Sequence, residues 1–371
     1  MSKKDEKSSK KSNKEAPPSK EGKEKNKKIE DLVAAIKKNH GDGSVFFGNA
    51  PIRQVEVVPS GSMILDAAAG IGGMPKGRII EVFGPEASGK SSICLTIVAQ
   101  AQKLGLTCAY VDTEHALDIA YARRLGVDDK KLLLSQPDYA EQALDIIKQI
   151  AESGSVDLVV LDSVAALVPK AELEGEMGDQ SMGVVARMMS KALRVLAGTL
   201  NKNHCTGIFI NQVRMKIGVM YGNPETTPGG NALKFYASMR MRVSKGTSIG
   251  SDPALGHMIN VKFVKNKMAP PFTECEVPLL YGKGVDQVGD LFTIAKEWEV
   301  LDVRGAHTYF QGEKVGSSRD ETIAALRTNT DLFAKVEAGV RAALKQRQDG
   351  GTVLPPGEAE PDEEGKEEAE E

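Results

Sequence analysis

Gly84-Pro85-Glu86-Ala87-Ser88-Gly89-Lys90-Ser91 sets two glycines, a lysine and a hydroxyl at the spacing G-x-x-x-x-G-K-[ST]. Glycines at those places let the backbone curl until its N–H groups point inward, as a loop wrapped around phosphates requires. A helix starting there adds the positive end of its dipole. On this pattern Lys90 belongs at the β- and γ-phosphates and the Ser91 hydroxyl on Mg²⁺. An apolar strand, Ile79–Phe83, precedes the loop, and an amphipathic helix, Ser91–Leu104, follows it. Phosphate binding needs that context.

Carboxylates follow at comparable strand ends. The apolar run Val156–Leu161 stops at Asp162, which can hold the shell of a metal ion or simply cap the next helix. The run Thr107–Val111 stops at Asp112-Thr113-Glu114, two carboxylates at one sheet edge. Phosphoryl transfer to water needs a group to orient the water. Either carboxylate could serve, and Glu114 is preferred because Asp112 can still lie inside the strand's hydrogen bonding. Two loops join this edge. Residues 171–183 carry Glu172, Glu174, Glu176, Asp179 and three glycines. Residues 212–231 are glycine-rich and interleave Arg214 and Lys216 with Met215, Ile217, Val219, Met220 and Tyr221. Basic and apolar side chains on a flexible loop suit a nucleic-acid clamp that wedges between bases, or a lid over a substrate.

The elements that must hold these residues alternate. From Arg78 onward, strands at 79–83, 107–111, 131–134, 156–161 and 206–210 alternate with helices near 91–104, 119–125 and 140–151. A long helix then carries Met182, Val185, Met189, Leu193, Leu196 and Leu200 on one face. Strands apolar on both faces and alternating with helices predict an α/β core around a mostly parallel sheet. After Tyr236, shorter runs at 238–243, 258–264 and 275–278 predict an antiparallel extension, and residues 290–345 a small α+β unit. Ahead of the core, Ile29, Leu32, Val33 and Ile36 form one helical stripe ended by Gly41 and Gly43. So short a stripe packs on its own core or on a neighbouring subunit; the pattern alone slightly favours its own core.

Composition narrows the class. The chain has 371 residues, 41% hydrophobic and 27% charged, with a net charge of −3. No apolar run approaches the roughly 18–20 residues of a membrane span, and no secretory leader pattern opens the chain. Cys94, Cys108, Cys205 and Cys275 show no C-x-x-C pairing, against a disulfide framework or zinc site. The expectation is a cytoplasmic protein without a membrane partner. The charge is uneven: residues 1–28 hold 11 lysines against 5 acids, and residues 357–371 hold 9 acids and Lys366. Both ends lack the apolar surface that offsets ordering entropy and are expected to be disordered. They serve solubility or modulate contact with a polyanion.

Seven segments together resemble the bacterial RecA recombinases: Met74–Arg78, Gly84–Lys90, Glu114–Asp118, Asp162–Leu167, Asn211–Met220, Gly229–Tyr236 and Val264–Lys267. The likeness runs in order from about Ile29 to Leu344. It implies a RecA-like P-loop core at 56–288, a polymerisation segment at 29–55, a duplex-gathering unit at 289–346 and a disordered acidic tail at 347–371. It implies that Gly84 to Ser92 hold ATP, that Tyr121 stacks on adenine and that Asp118 meets its edge. Ser91 and Asp162 would hold Mg²⁺, Glu114 would activate water, and Gln212 would sense the γ-phosphate. Lys265 and Lys267, by pattern alone an exposed strand face or a cationic pair, would reach a neighbour's nucleotide.

On DNA, the resemblance implies that Met182 and Ile217 insert between triplets, while Arg187, Ser190, Arg194, Arg214, Gly229, Gly230 and Asn231 hold the backbone. The helix at 29–39 would then pack on a neighbour, and Lys314 would gather duplex DNA. The implied activity is a DNA-dependent ATPase that forms helical filaments on single-stranded DNA, pairs it with duplex DNA and activates self-cleavage of an SOS-type repressor. Competing assignments are a hexameric helicase or motor on the same fold, and a filament that uses nucleotide only as a structural switch. Three features depart from the family pattern: the lysine-rich residues 1–28, Ser91-Ser92 where threonines are usual, and Gln311 where a base is expected.

Overall fold

The computed structural model describes residues 20–41, 44–45, 47, 55–175, 183–215, 225–249 and 254–349. Residues 1–54 form one compact unit and residues 55–371 another. In the first, Lys20–His40 is a single helix, so it begins well ahead of the expected Ile29. Assigning all of residues 1–28 to a disordered arm is therefore corrected for 20–28. Alternating acids and lysines support helix there: Glu24 and Lys28 pair at 3.0 Å across one turn. Charge composition alone does not reveal that spacing.

The second unit is built on nine strands: β1 Ile79–Gly84, β2 Cys108–Asp112, β3 Leu132–Ser135, β4 Leu158–Asp162, β5 Thr206–Gln212, β6 Met239–Ser248, β7 Gly256–Asn266, β8 Glu274–Leu280 and β9 Gly284–Val285. Their order is β9-β8-β7-β6-β1-β5-β4-β2-β3. The six strands from β6 to β3 are parallel; β7, β8 and β9 continue antiparallel. One expectation changes here. The antiparallel extension starts at β7, because β6 runs parallel to β1, with Arg240 opposite Glu81.

Alternation along the central strands divides the core into two layers. Ile80, Val82, Ile208 and Ile210 pack with Ile93, Ile97 and Val98 of the helix Lys90–Lys103. Ile79, Val159, Leu161 and Phe209 pack on the other face with Ile147 of the helix Ala140–Ser153. Leu193, Leu196 and Leu200 of the helix Val184–Lys202 complete that layer. Truncating a fully buried leucine such as Leu193 to alanine costs about 2–5 kcal/mol. These layers hold the strand ends still.

The C-terminal part carries the helices Gln287–Glu297, Arg319–Thr328 and Thr330–Asp349 around the strands Asp302–Arg304, His307–Phe310 and Glu313–Gly316. The last helix takes in 347–349, which corrects the expected start of the disordered tail there. Its core includes Leu291, Trp298, Leu326 and Val340, but also Met63 and Ala67 from the short helix Met63–Ala68. That helix, absent from the sequence expectations, ties the small unit to the chain before β1. Among the described residues, no helix is long and apolar enough to cross a membrane.

Candidate functional site

The loop after β1 follows from local constraints. A Cβ at Gly84 would stand 1.9 Å from the carbonyl oxygen of Val243, so only glycine lets β1 pass β6 there. Inside the loop the Ser88 hydroxyl donates to the Pro85 carbonyl at 2.8 Å. The Lys90 ammonium donates to the carbonyls of Gly84 (3.1 Å) and Pro85 (2.6 Å). Burial pushes the Lys90 ammonium below its ordinary value, while the carboxylates of Asp162 and Glu114 pull it back. A cation held among carbonyls beside two carboxylates is poised for phosphate oxygens.

Asp162 stands at the end of β4, opposite Asp112 on β2. Its Oδ2 accepts from the Ser91 hydroxyl at 2.8 Å and from the Tyr110 phenol at 2.6 Å. Burial raises its carboxyl, and those two donors oppose the rise. The strand-end carboxylate and the first helical hydroxyl are thus one cluster, and Asp162 is no mere helix cap. A hard cation would fit this pair of oxygens, with phosphates and water supplying its remaining ligands. Among the described residues no group of three His, Cys, Asp or Glu side chains could hold a metal unaided.

The two candidate bases separate by their partners. Asp112 is buried, and its Oδ2 accepts from the Leu117 N–H at 3.1 Å and the Gln136 amide at 3.0 Å. Glu114 is exposed beyond the strand end, and its Oε1 accepts from the Ser163 hydroxyl (2.6 Å) and the Gln212 amide (3.2 Å). Asp112 is engaged in structure; Glu114 faces the open edge.

Gln212 ends β5 and opens the second loop, whose two margins zip together as the pairs Arg214–Thr226 and Met215–Glu225. Of the adenine candidates, Tyr121 bonds the Ser92 hydroxyl at 2.8 Å beside the P-loop helix. Asp118 caps its own helix through Oδ1, with its other oxygen 3.9 Å from Arg124. Arg187, Ser190 and Arg194 lie along one side of the helix Val184–Lys202, opposite its buried leucines, and both arginines are exposed. Gly230 has φ +76°, and a Cβ there would meet the Cβ of Ala186 at 2.7 Å, which seats the end of the loop against that helix. Asn231 is exposed at the start of the helix Ala232–Tyr236. Met182 and Ile217 lie outside the described residues.

Lys267 is exposed just past β7, whereas Lys265 donates to the carbonyls of Lys234 and Phe235, the latter at 3.2 Å. Lys314 is exposed on the strand Glu313–Gly316. Sequence reasoning missed Tyr110 and Ser163 as partners of the two carboxylates. It also passed over Glu81, whose signal was available: a carboxylate midway along an otherwise apolar strand.

A phosphate loop leaving the central parallel strand, with a strand-end carboxylate against its hydroxyl, defines a P-loop nucleoside triphosphatase. The family described as RecA N-terminal domain matches residues 27–286. Protein RecA 2 of Myxococcus xanthus is 53% identical over 321 residues, 85% of this chain and 90% of that protein. Protein RecA of Desulforapulum autotrophicum is 50% identical over 323 residues, 86% of this chain and 93% of that one. Protein RecA of Acinetobacter baumannii is 49% identical over 340 residues, with coverage of 91% and 97%. The chain belongs to the RecA family.

Proposed function

We propose that this chain is a DNA-dependent ATPase that forms helical filaments on single-stranded DNA and pairs that strand with homologous duplex in recombinational repair. One observation carries the reading: the Gln212 amide donates to the Glu114 carboxylate at 3.2 Å. The residue that opens the 212–231 loop touches the carboxylate best placed to orient water, so one side chain serves both loop and hydrolysis. Lys90 and the backbone of Gly84–Ser92 bind the phosphates, and Tyr121 and Asp118 bind the base. Ser91 and Asp162 hold Mg²⁺, which supplies charge neutralisation at the phosphates. Glu114 then takes the proton of the attacking water.

Arg187, Ser190, Arg194, Arg214, Gly229, Gly230 and Asn231 grip the DNA backbone, with Met182 and Ile217 as wedges between triplets. Lys265 and Lys267 complete the nucleotide site of the next subunit. The helix stripe at 29–36 supports assembly, since Leu32 is 58% exposed. The C-terminal unit, with Lys314, gathers duplex. Self-cleavage of an SOS-type repressor on the filament and a cytoplasmic location complete the reading.

Joint-molecule formation tests it. Given ATP, Mg²⁺ and single-stranded DNA, the chain should form D-loops with homologous duplex and leave a forked duplex without homology intact. Catalytic unwinding of the fork without D-loops would assign a helicase instead.

A further inference from the structure

A buried polar cluster lies beside the site, and neither phosphate binding nor DNA binding uses it. Glu81, midway along β1, is completely buried, and Arg240 on β6 pairs with it in register. The guanidinium Nε donates to Glu81 Oε2 at 2.6 Å, and its carbon lies 4.6 Å from the centre of the Phe83 ring. Glu81 Oε1 accepts from Asn211 Nδ2 at 3.1 Å. The second hydrogen of that amide goes to the Pro228 carbonyl, also at 3.1 Å. Asn211 Oδ1 in turn accepts the backbone N–H of Gln212 at 3.0 Å.

Asn211 is itself completely buried, so each of these bonds is made out of water and is costly to lose. A buried ion pair is weak evidence of added stability, since apolar replacements of similar volume are often as stable. What this pair does offer is a fixed mount. From that mount the Asn211 side chain holds two things at once: the backbone of Gln212, and the carbonyl of Pro228 immediately before Gly229 and Gly230.

We propose that Asn211 is a positioning residue, the joint through which DNA held at 229–231 sets the position of Gln212 and hence of Glu114. Glu81 and Arg240 are its mount. The inference rests on the functional reading above and adds residues to it. If the far end of the loop shifts, Pro228 pulls on the Asn211 amide. Because Asn211 Oδ1 holds the Gln212 N–H, the Gln212 side chain moves with it. A carboxylate at 211 could still accept from Gln212 but could not donate to Pro228.

The test separates that joint from bulk stability. Asn211→Asp alone sets two carboxylates together and should lower the melting temperature. In Asn211→Asp combined with Glu81→Gln, the new amide donates to the new carboxylate, restoring the 81–211 bond and the charge balance with Arg240. That double variant should melt within a few degrees of the parent and bind ATP with an affinity within about threefold. Its stimulation by single-stranded DNA should nevertheless fall at least tenfold, because the bond to Pro228 is still missing. Full stimulation in the folded double variant overturns the inference alone. Absence of stimulation in the unaltered chain overturns the functional reading and this inference with it. If the double variant does not fold, amide exchange in the unaltered chain decides. Single-stranded DNA should slow exchange of the Gln212 N–H, and unchanged exchange overturns the proposal.

Discussion

Glu114 and Asp112 sit two positions apart on one chain segment, yet their surroundings differ. The Asp112 carboxylate accepts from Leu117 and Gln136 inside the sheet margin. The Glu114 carboxylate accepts from Ser163 and Gln212 at the open edge, where a water beside a γ-phosphate would stand. Glu114→Gln removes a base and keeps the shape, so hydrolysis should fall at least a hundredfold while ATP-dependent DNA binding survives. Asp112→Asn should chiefly lower thermal stability. Single-turnover hydrolysis and DNA-binding titrations on both variants check this, and normal turnover in Glu114→Gln would move the role to Asp112. The P-loop was legible in sequence because its chemistry is local and its spacing specific. The choice between the two carboxylates was not, because it depends on where β2 ends relative to β4, a register that no local pattern encodes.

Elements show the same division between local and distant causes. Continuous apolar runs and helical patterns gave the central strands and their helices within a few residues. The direction of β6 was hidden, since Met239, Met241 and Val243 alternate with Arg240 and Arg242, a pattern that reads as an antiparallel strand. The six-residue helix Met63–Ala68 was hidden too: Ser62 caps it locally, but it is too short to show a helical stripe, and the acceptor of its first N–H groups, Asp290, lies far along the chain. Asp290 accepts from the Ser62 hydroxyl at 2.6 Å and from the N–H groups of Met63 and Ile64, which fixes that helix to the C-terminal unit. Nearby Asp66 accepts the Ser60 N–H at 2.8 Å. Burial pushes both carboxyls up to about 7, against the pull of these donors. Folded chains therefore hold protons at these two sites between roughly pH 4 and pH 7, where unfolded chains have released them. The stability these carboxyls contribute is present at the acid end of that window and is lost as pH rises through about 7. Relative to Asp66→Asn/Asp290→Asn, the parent should lose melting temperature as pH rises from 5 to 7.5. A difference between the two that is flat with pH would show that the carboxyls titrate normally.

At the scale of the whole chain, charge is segregated while the net charge is only −3. The stretch between the two charged ends is close to neutral, so the proposed DNA binding requires a local basic surface, for which the exposed Arg187 and Arg194 are candidates. Nine carboxylates at 357–371 can compete with phosphates for such surfaces. Deleting that segment should tighten duplex binding severalfold at low salt and low Mg²⁺, with the gain fading as salt screens the competition. Equal affinities across a salt titration would leave the tail a solubilising role.

Assembly enters through Lys267, exposed beyond β7 and well separated in sequence from the P-loop. A cation supplied across a subunit boundary would make turnover depend on a polymer, since phosphoryl transfer gains most from charge placed on the developing transition state. Lys267→Ala and Glu114→Gln should each be inactive alone. Mixed filaments should regain part of the activity, because one class of interface pairs an intact Glu114 with an intact Lys267. No recovery in filaments shown to be mixed would place Lys267 outside the nucleotide site.

The proposed function requires a link between DNA in the 212–231 loop and a carboxylate at the phosphate site. Steady-state ATP hydrolysis by the full chain, measured with and without saturating single-stranded DNA, tests that link most directly. Turnover should rise at least tenfold with DNA, and the increase should vanish in Gln212→Ala while ATP binding persists. Equal turnover with and without DNA, or full stimulation in Gln212→Ala, would contradict it.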